Sequence, residues 1–196
     1  MPRVPFVDPV TLPPDKRSAL AFSAIQMKYV LAHATDTFVP FYQAIGTLRS
    51  SPEFDPLLRQ MVILAAAAAT GSEYLWSQHE ARTVALGATA EQIEALRARR
   101  PFDAPQSAVV TFLHDLYEGR GVDDERVEEV LSVVTVRGFV ESMLQYGLYL
   151  TCGRMIEAVD LPLQDPVAPA NWDLLYGDQG TGDHGRAEGG SHGVEG

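Results

Sequence analysis

One short segment of this sequence, residues 70–79, carries the side chains best suited to chemistry. His79 is the only side chain in it that titrates near neutral pH, so it can accept or donate a proton in a reaction. Glu73 supplies a carboxylate six positions earlier, and Tyr74 and Trp76 supply aromatic faces between the two. This combination makes residues 70–79 the candidate segment for proton transfer.

Each of these side chains also has a structural interpretation. A histidine inside a helical protein is often buried and satisfied by protein atoms. A carboxylate at Glu73 favours the first turn of a helix whatever the function, and it lies about 120° round the helix from His79 at roughly 100° per residue. Ser72 is better placed as a helix N-cap than as a nucleophile, because His79 lies almost two turns away. Aromatic residues placed like Tyr74 and Trp76 are more often packing residues than substrate contacts.

Composition excludes several classes of function. The chain has 196 residues and a net charge of −11, which argues against binding to nucleic acid or to an anionic membrane surface. No apolar run reaches the roughly 18 residues that a membrane span needs. The N-terminus lacks the apolar region of a signal peptide, so we expect a cytoplasmic protein. Cys152 is the only cysteine, which makes an intrachain disulfide or dithiol cycle impossible.

The apolar periodicity predicts an all-α protein of about seven or eight helices. We divide the chain into an extended Pro-rich arm (1–16), a helical domain (17–163) and a mostly flexible, Gly- and Asp-rich tail (164–196). One stripe from Leu20 to Val30 predicts a first helix, and the nearly all-apolar helix after Asp55 is expected to be central. The helix boundaries are read from capping signals at Asp36 or Thr37, Asp55-Pro56, Gly71, Gly87, Thr89 with Gln92, Asp123 or Asp124, and Thr135.

No other constellation of catalytic residues stands out. Metal-ligand spacings, glycine-rich phosphate loops and Ser-His-Asp sets are all missing from the pattern. His114 lies in the middle of a predicted helix before Asp115, and we interpret it as a structural or surface residue. The interpretation therefore depends mainly on residues 70–79.

Three segments, taken in order, resemble the carboxymuconolactone decarboxylase family, which also contains the alkylhydroperoxidase D branch. They are Arg59 to Leu64, Thr70 to His79, and Ala85 to Ile93, and the match continues to Leu161-Pro162-Leu163. The resemblance covers roughly residues 17–163. It implies an all-α fold and a homo-oligomer, commonly a trimer or a hexamer, with sites near the subunit contacts.

The resemblance also assigns roles to positions. In the peroxidase branch an upstream Glu, two cysteines and a His form a proton relay, and these positions fall on Gln60, Ser72, Leu75 and His79. The hydroxyl of Ser72 is a far weaker nucleophile than a thiolate, and Leu75 has no nucleophilic group. The amide of Gln60 cannot exchange a proton as a carboxylate does. In the decarboxylase branch a Glu lies six residues before the His, and Glu73 and His79 keep that pattern.

The resemblance therefore implies a cofactor-independent decarboxylase or isomerase, without a metal, acting on a small cyclic carbonyl or lactone. His79 would be the general acid/base and should be accessible from a cavity. A binding or assembly protein on the same fold is the alternative, and an alkylhydroperoxidase or peroxiredoxin-like activity is a third. The candidate site residues are His79 and Glu73 for catalysis, and Gln60, Ser72, Tyr74 and Trp76 for substrate binding.

We predict that the protein has no dithiol-dependent peroxidase activity, because Ser72 and Leu75 occupy the two thiol positions. Reduction of hydrogen peroxide and of an alkyl hydroperoxide by dithiol donors should not exceed the buffer rate. The Cys152→Ser variant is the control for reactions of the single thiol. Turnover above buffer that survives in this variant would contradict the prediction.

Overall fold

The computed structural model describes residues 2–20 and 25–165. In this part the chain is helical and contains no strand, which confirms the predicted all-α class. The domain division stays a prediction, and the tail beyond residue 165 lies outside the described residues. A 3-10 turn (Pro9–Thr11) precedes nine described helices: α1 (Pro14–Arg17), α2 (Gln26–Leu31), α3 (Thr35–Arg49), α4 (Pro56–Thr70), α5 (Glu73–Ala85), α6 (Ala90–Arg97), α7 (Gln106–Tyr117), α8 (Asp124–Leu131) and α9 (Val136–Val159).

Most helices begin where the capping signals place them. The Asp55 carboxylate accepts a hydrogen bond of 2.8 Å from the backbone N–H of Leu58, with Pro56 at the first helical position. Thr89 and Gln92 form a reciprocal capping box. Helix α4 ends at Gly71, whose φ of 66° lies in the left-handed region that favours glycine. The boundaries of the helices that carry the candidate site were therefore predicted correctly.

The N-terminal helices differ from the prediction. Ile25 has an extended backbone and precedes α2, so the stripe from Leu20 to Val30 does not form one continuous helix. Leu20 and Val30 are nevertheless both buried. Leu20 lies in a turn after α1 and Val30 lies in α2, so apolar spacing alone does not decide whether a helix is continuous. Helix α3 begins at Thr35, slightly before the predicted caps, and Ala34 provides no side-chain cap.

The Pro-rich arm packs on the chain's own helices. Val7 and Leu12 are buried, and the backbone N–H of Arg3 donates to the carbonyl of Val159 at 2.7 Å. The arm is not extended throughout, because it contains the 3-10 turn and the start of α1. It therefore ties the start of the chain to the end of α9.

Helix α4 is the central element, as its composition predicts. Leu58 through Ala67 are all buried, and α4 packs chiefly on α9 and α5. The contact with α9 is close at Gly153, where an added Cβ would lie 2.3 Å from Oγ1 of Thr70. This close approach fixes the end of α4, and hence the start of α5, against α9. None of the described helices is long and apolar enough to cross a membrane.

Candidate functional site

His79 lies where α4, α5 and α9 meet. Its Nδ1 atom is 2.9 Å from Oε1 of Gln60 on α4. The ring of Tyr149 on α9 packs edge-on against the imidazole, with the centroids 5.5 Å apart and the planes at 89°. The resemblance mapped Gln60 and His79 to two positions of one relay, and the structure places these two side chains in direct contact.

The hydrogen bond to Gln60 fixes the tautomer of His79. An amide oxygen only accepts hydrogen bonds, so Nδ1 carries the hydrogen and donates it. Nε2 of the neutral ring then holds the lone pair. Chemically, the arrangement presents a neutral imidazole with Nε2 as its basic nitrogen.

Burial and neighbouring charge keep this ring neutral. His79 is only 6% exposed, and burial lowers its pKa to about 3, with Arg49 and Arg82 contributing by charge repulsion. His79 lines neither the cavity of about 530 Å³ beside α7 nor the cavity of about 690 Å³ beside α9 in the described part of the chain. The structure thus differs from the expected cavity access, because Gln60 and Tyr149 pack directly on the ring.

Ser72 and Leu75 have structural roles. The hydroxyl of Ser72 accepts a 3.3 Å hydrogen bond from the backbone N–H of Leu75, which makes Ser72 the N-cap of α5. Leu75 is buried in the hydrophobic core. The two positions that would hold thiols thus cap a helix and fill the core.

Glu73 and Trp76 are held together by Arg97 rather than by His79. The two terminal guanidinium nitrogens of Arg97, Nη1 and Nη2, donate to the Glu73 carboxylate at 2.6 and 3.2 Å. This hydrogen bond is the main reason why the pKa of Glu73 lies below its ordinary value. The same guanidinium lies 4.3 Å from the Trp76 ring centroid. These contacts connect the start of α5 to the end of α6 on a different side of the helix from His79.

Tyr74 is also separate from the His79 pair. Its hydroxyl donates to Oε1 of Gln164, near the end of the described residues. Burial raises the pKa of Tyr74 to about 12. Of the six side chains proposed from sequence, Gln60 and His79 are the two that the structure joins directly.

Sequence reasoning missed Tyr149, Arg49 and Arg82. Arg82 lies three positions after His79 on the same helix, a spacing that places neighbours on one face and was readable. Arg49 and Tyr149 come from α3 and α9, and only tertiary packing brings them to the site.

The single thiol is far from reactive. Cys152 is buried, and burial raises its pKa to about 12, so the thiolate needed for nucleophilic attack is not formed at neutral pH. Within residues 2–20 and 25–165, no three His, Cys, Asp or Glu side chains cluster in a way that could hold a metal ion.

We predict that His79 makes the folded state sensitive to acid. The folded pKa is about 3 against an ordinary value of 6.5, so below pH 6.5 the unfolded chain takes up a proton that the folded chain refuses. Stability is lost as pH falls through this window, by at most about 1.4 kcal/mol per pH unit from this group. The His79→Gln variant should show a shallower fall in unfolding free energy, measured by urea denaturation.

The control for this measurement is Val84→Gln, which introduces the same side chain at an exposed position of α5 and removes no titrating group. This variant should keep the pH slope of the unmodified protein. An identical slope in His79→Gln and in the unmodified protein would contradict the prediction.

Comparisons with known proteins support the helical fold. The carboxymuconolactone decarboxylase family profile matches residues 33–114, and no curated protein matches the sequence. A peroxidase-related protein with an alkylhydroperoxidase AhpD core from Ralstonia eutropha JMP134 superposes with a TM-score of 0.69 at 16% identity, covering 90% of this chain and 97% of that one. A peroxidase-related protein from Silicibacter sp. TM1040 gives 0.67 at 16% identity, covering 82% and 89%.

A third solved structure holds a ligand. The debrominase Bmp8, in complex with 2,3,4-tribromopyrrole, gives a TM-score of 0.61 at 15% identity, covering 84% of this chain and 91% of that one. At these identities the structural matches establish the fold. The chain thus has an AhpD-like helical fold, its residues 33–114 match the carboxymuconolactone decarboxylase family profile, and its sequence lacks the Cys-x-x-Cys pair.

Proposed function

We propose that the protein is a cofactor-independent enzyme of decarboxylase or isomerase type that acts on a small cyclic carbonyl or lactone. His79 transfers the proton. The observation that carries this proposal is the hydrogen bond from Nδ1 of His79 to Oε1 of Gln60, which leaves Nε2 as the base. When Nε2 takes up a proton, Gln60 continues to accept from Nδ1 and holds the imidazolium in place.

The charges around His79 suit an anionic substrate. Arg49 and Arg82 both act on the ring through their charge. A substrate that carries a carboxylate, or that develops an enolate, is stabilised by the same two cations. The negative charge of the substrate also offsets the repulsion between the two arginines and a protonated His79. It therefore raises the pKa of the ring toward the range in which a base is effective. The base therefore becomes stronger when the substrate is bound.

The roles of the other candidates are revised in this proposal. Glu73 is engaged in its ion pair with Arg97, so it supports the start of α5 rather than transferring a proton. Ser72, Tyr74 and Trp76 cap or pack the same helix. Of the substrate-binding candidates, Gln60 stays at the site, through its bond to His79.

A non-catalytic binding or assembly protein is the second candidate. It is favoured by the burial of the His79 ring, since a catalytic histidine must reach its substrate. The hydroperoxidase candidate is the weakest. Ser72 and Leu75 replace its two thiols, and Cys152 is buried with a raised pKa.

We also propose that the protein forms a homo-oligomer, a trimer or a hexamer. The proposed oligomer is supported by an apolar stripe on α9, in which Val136, Val140 and Leu144 follow one another at intervals of four residues. These side chains are 69%, 45% and 55% exposed, and a stripe of this kind favours contact with a second copy. Light scattering at micromolar concentration should give the mass of a multimer, and replacing Val140 and Leu144 with Gln should shift it downward. A clean monomer mass for the unmodified protein would contradict this.

The enzymatic proposal is tested by proton exchange. The protein is incubated in D₂O with a panel of unsaturated lactones that carry a carboxylate, and NMR follows deuterium incorporation and loss of CO₂. We expect exchange or decarboxylation of at least one member. In His79→Gln the rate should fall by about 10²- to 10⁴-fold, because the glutamine keeps a polar side chain but accepts no proton.

Glu73→Gln is the matched control, since it alters a neighbouring residue of the same helix but leaves Gln60 and His79 in place. It should keep most of the activity. An unchanged rate in His79→Gln would overturn the role of this residue. Saturable binding of a panel member without any turnover would favour the binding protein instead.

A further inference from the structure

A cavity of about 530 Å³ lies between the end of α6 and α7. Residues 98–101 form one wall, and Val110, Thr111 and His114 on α7 form the other. It shares no lining residue with the Gln60–His79 pair. Anything that binds here is therefore independent of the function proposed above.

His114 brings an unpartnered nitrogen to this cavity. The side chain is only 6% exposed, and Nδ1 lies 2.8 Å from the hydroxyl of Tyr146 on α9. Tyr146 lines a different cavity and not this one, and from this we infer that the Nε2 edge of the ring is the one nearer to the cavity. Nε2 is buried and has no hydrogen-bond partner among the described residues.

The partner of Nδ1 determines what Nε2 can do. Tyr146 is 1% exposed, so its hydroxyl hydrogen must be accepted by a protein atom, and Nδ1 of His114 is the acceptor that the structure provides. Nδ1 therefore has no hydrogen of its own in the neutral ring, and Nε2 carries it. A buried N–H without an acceptor is unfavourable, and a ligand oxygen at this position would satisfy it.

The charged residues that line the cavity have a net positive charge, because one arginine has no carboxylate partner among residues 2–20 and 25–165. Arg99 forms an ion pair with Glu118, and Arg120 pairs with both Asp115 and Glu118. Arg100 lines the cavity without an ion pair in the described part of the chain. Three arginines against two carboxylates give the lining a surplus of one positive charge.

We propose that this cavity binds a small organic monocarboxylate. One carboxylate oxygen accepts the hydrogen from Nε2 of His114, and Arg100 balances the charge. Pro101 and Val110 provide an apolar wall for the rest of the molecule. A dianion such as phosphate is disfavoured, because its second charge would face Asp115 and Glu118.

Benzoate is the probe, and benzamide, which has the same shape without the charge, is the matched control ligand. The ring signals of His114 are followed by NMR in the full-length protein. We expect benzoate to shift them saturably and benzamide to leave them in place. Arg100→Gln should weaken benzoate binding about tenfold, the usual effect of losing one charge-assisted contact.

Three further samples complete the test. Arg137→Gln removes an exposed arginine on α9, away from the cavity, and should bind benzoate like the unmodified protein. His79→Gln should also keep the shift of His114, which separates this site from the proposed active site. His114→Phe should abolish benzoate binding. If His114→Phe does not fold, Arg100→Gln still tests the proposal, because Arg100 is exposed.

The proposal is overturned if benzoate produces no saturable shift, if benzamide binds equally well, or if Arg100→Gln binds like the unmodified protein. Inorganic phosphate that displaces benzoate with comparable affinity would also overturn it. That result would show a general anion site rather than a carboxylate site.

Discussion

The burial of α4 on nearly all sides is the constraint on which the rest of the structure depends. A polar side chain on such a helix must find its partner inside the protein, because water does not reach it. Gln60, which is 3% exposed, meets this requirement with His79. Gln145 of α9 likewise donates to the backbone carbonyl of Arg59 at 2.7 Å. These polar contacts, with the close approach at Gly153, set the register of α5 and α9 on α4.

The same constraint determines the chemistry of the site. A carboxylate at position 60 would attract a proton to His79 and raise its pKa, whereas the amide of Gln60 holds the ring without adding charge. Burial and the two nearby arginines then keep the ring neutral. The structure thus joins Gln60 and His79, while Ser72 and Leu75 hold no thiols. What is left suits proton transfer or binding better than redox chemistry.

The fold was largely predictable from sequence, because capping residues and apolar runs act locally. Asp55, Thr89 and Thr135 each cap the helix that follows them. The contact between Gln60 and His79 spans 19 positions and two helices, and it was suggested only through the family resemblance. Spacing alone carries no such information, since the crossing of α4 and α5 decides which side chains meet.

The same reasoning explains why Glu73, named with His79 as a catalytic candidate, contacts a different residue. Its position about 120° round the helix from His79 was evident beforehand, and that angle directs it to another neighbour. The neighbour is Arg97 at the end of α6, whose position depends on how α6 packs. His114 was interpreted as structural or exposed for a similar reason, because its cavity exists only where the end of α6 meets α7.

His79 and His114, both buried, each contact a tyrosine of α9. In their neutral rings the hydrogen lies on opposite nitrogens, Nδ1 of His79 and Nε2 of His114. Tyr146 and Tyr149, three positions apart on α9, each pack edge-on against one imidazole. An amide oxygen at Nδ1 of His79 leaves Nε2 as an acceptor, whereas a hydroxyl donor at Nδ1 of His114 leaves Nε2 as a donor. The first nitrogen is suited to take up a proton and the second to bind an anion. The partner at Nδ1, rather than the histidine itself, thus decides which chemistry each site supports.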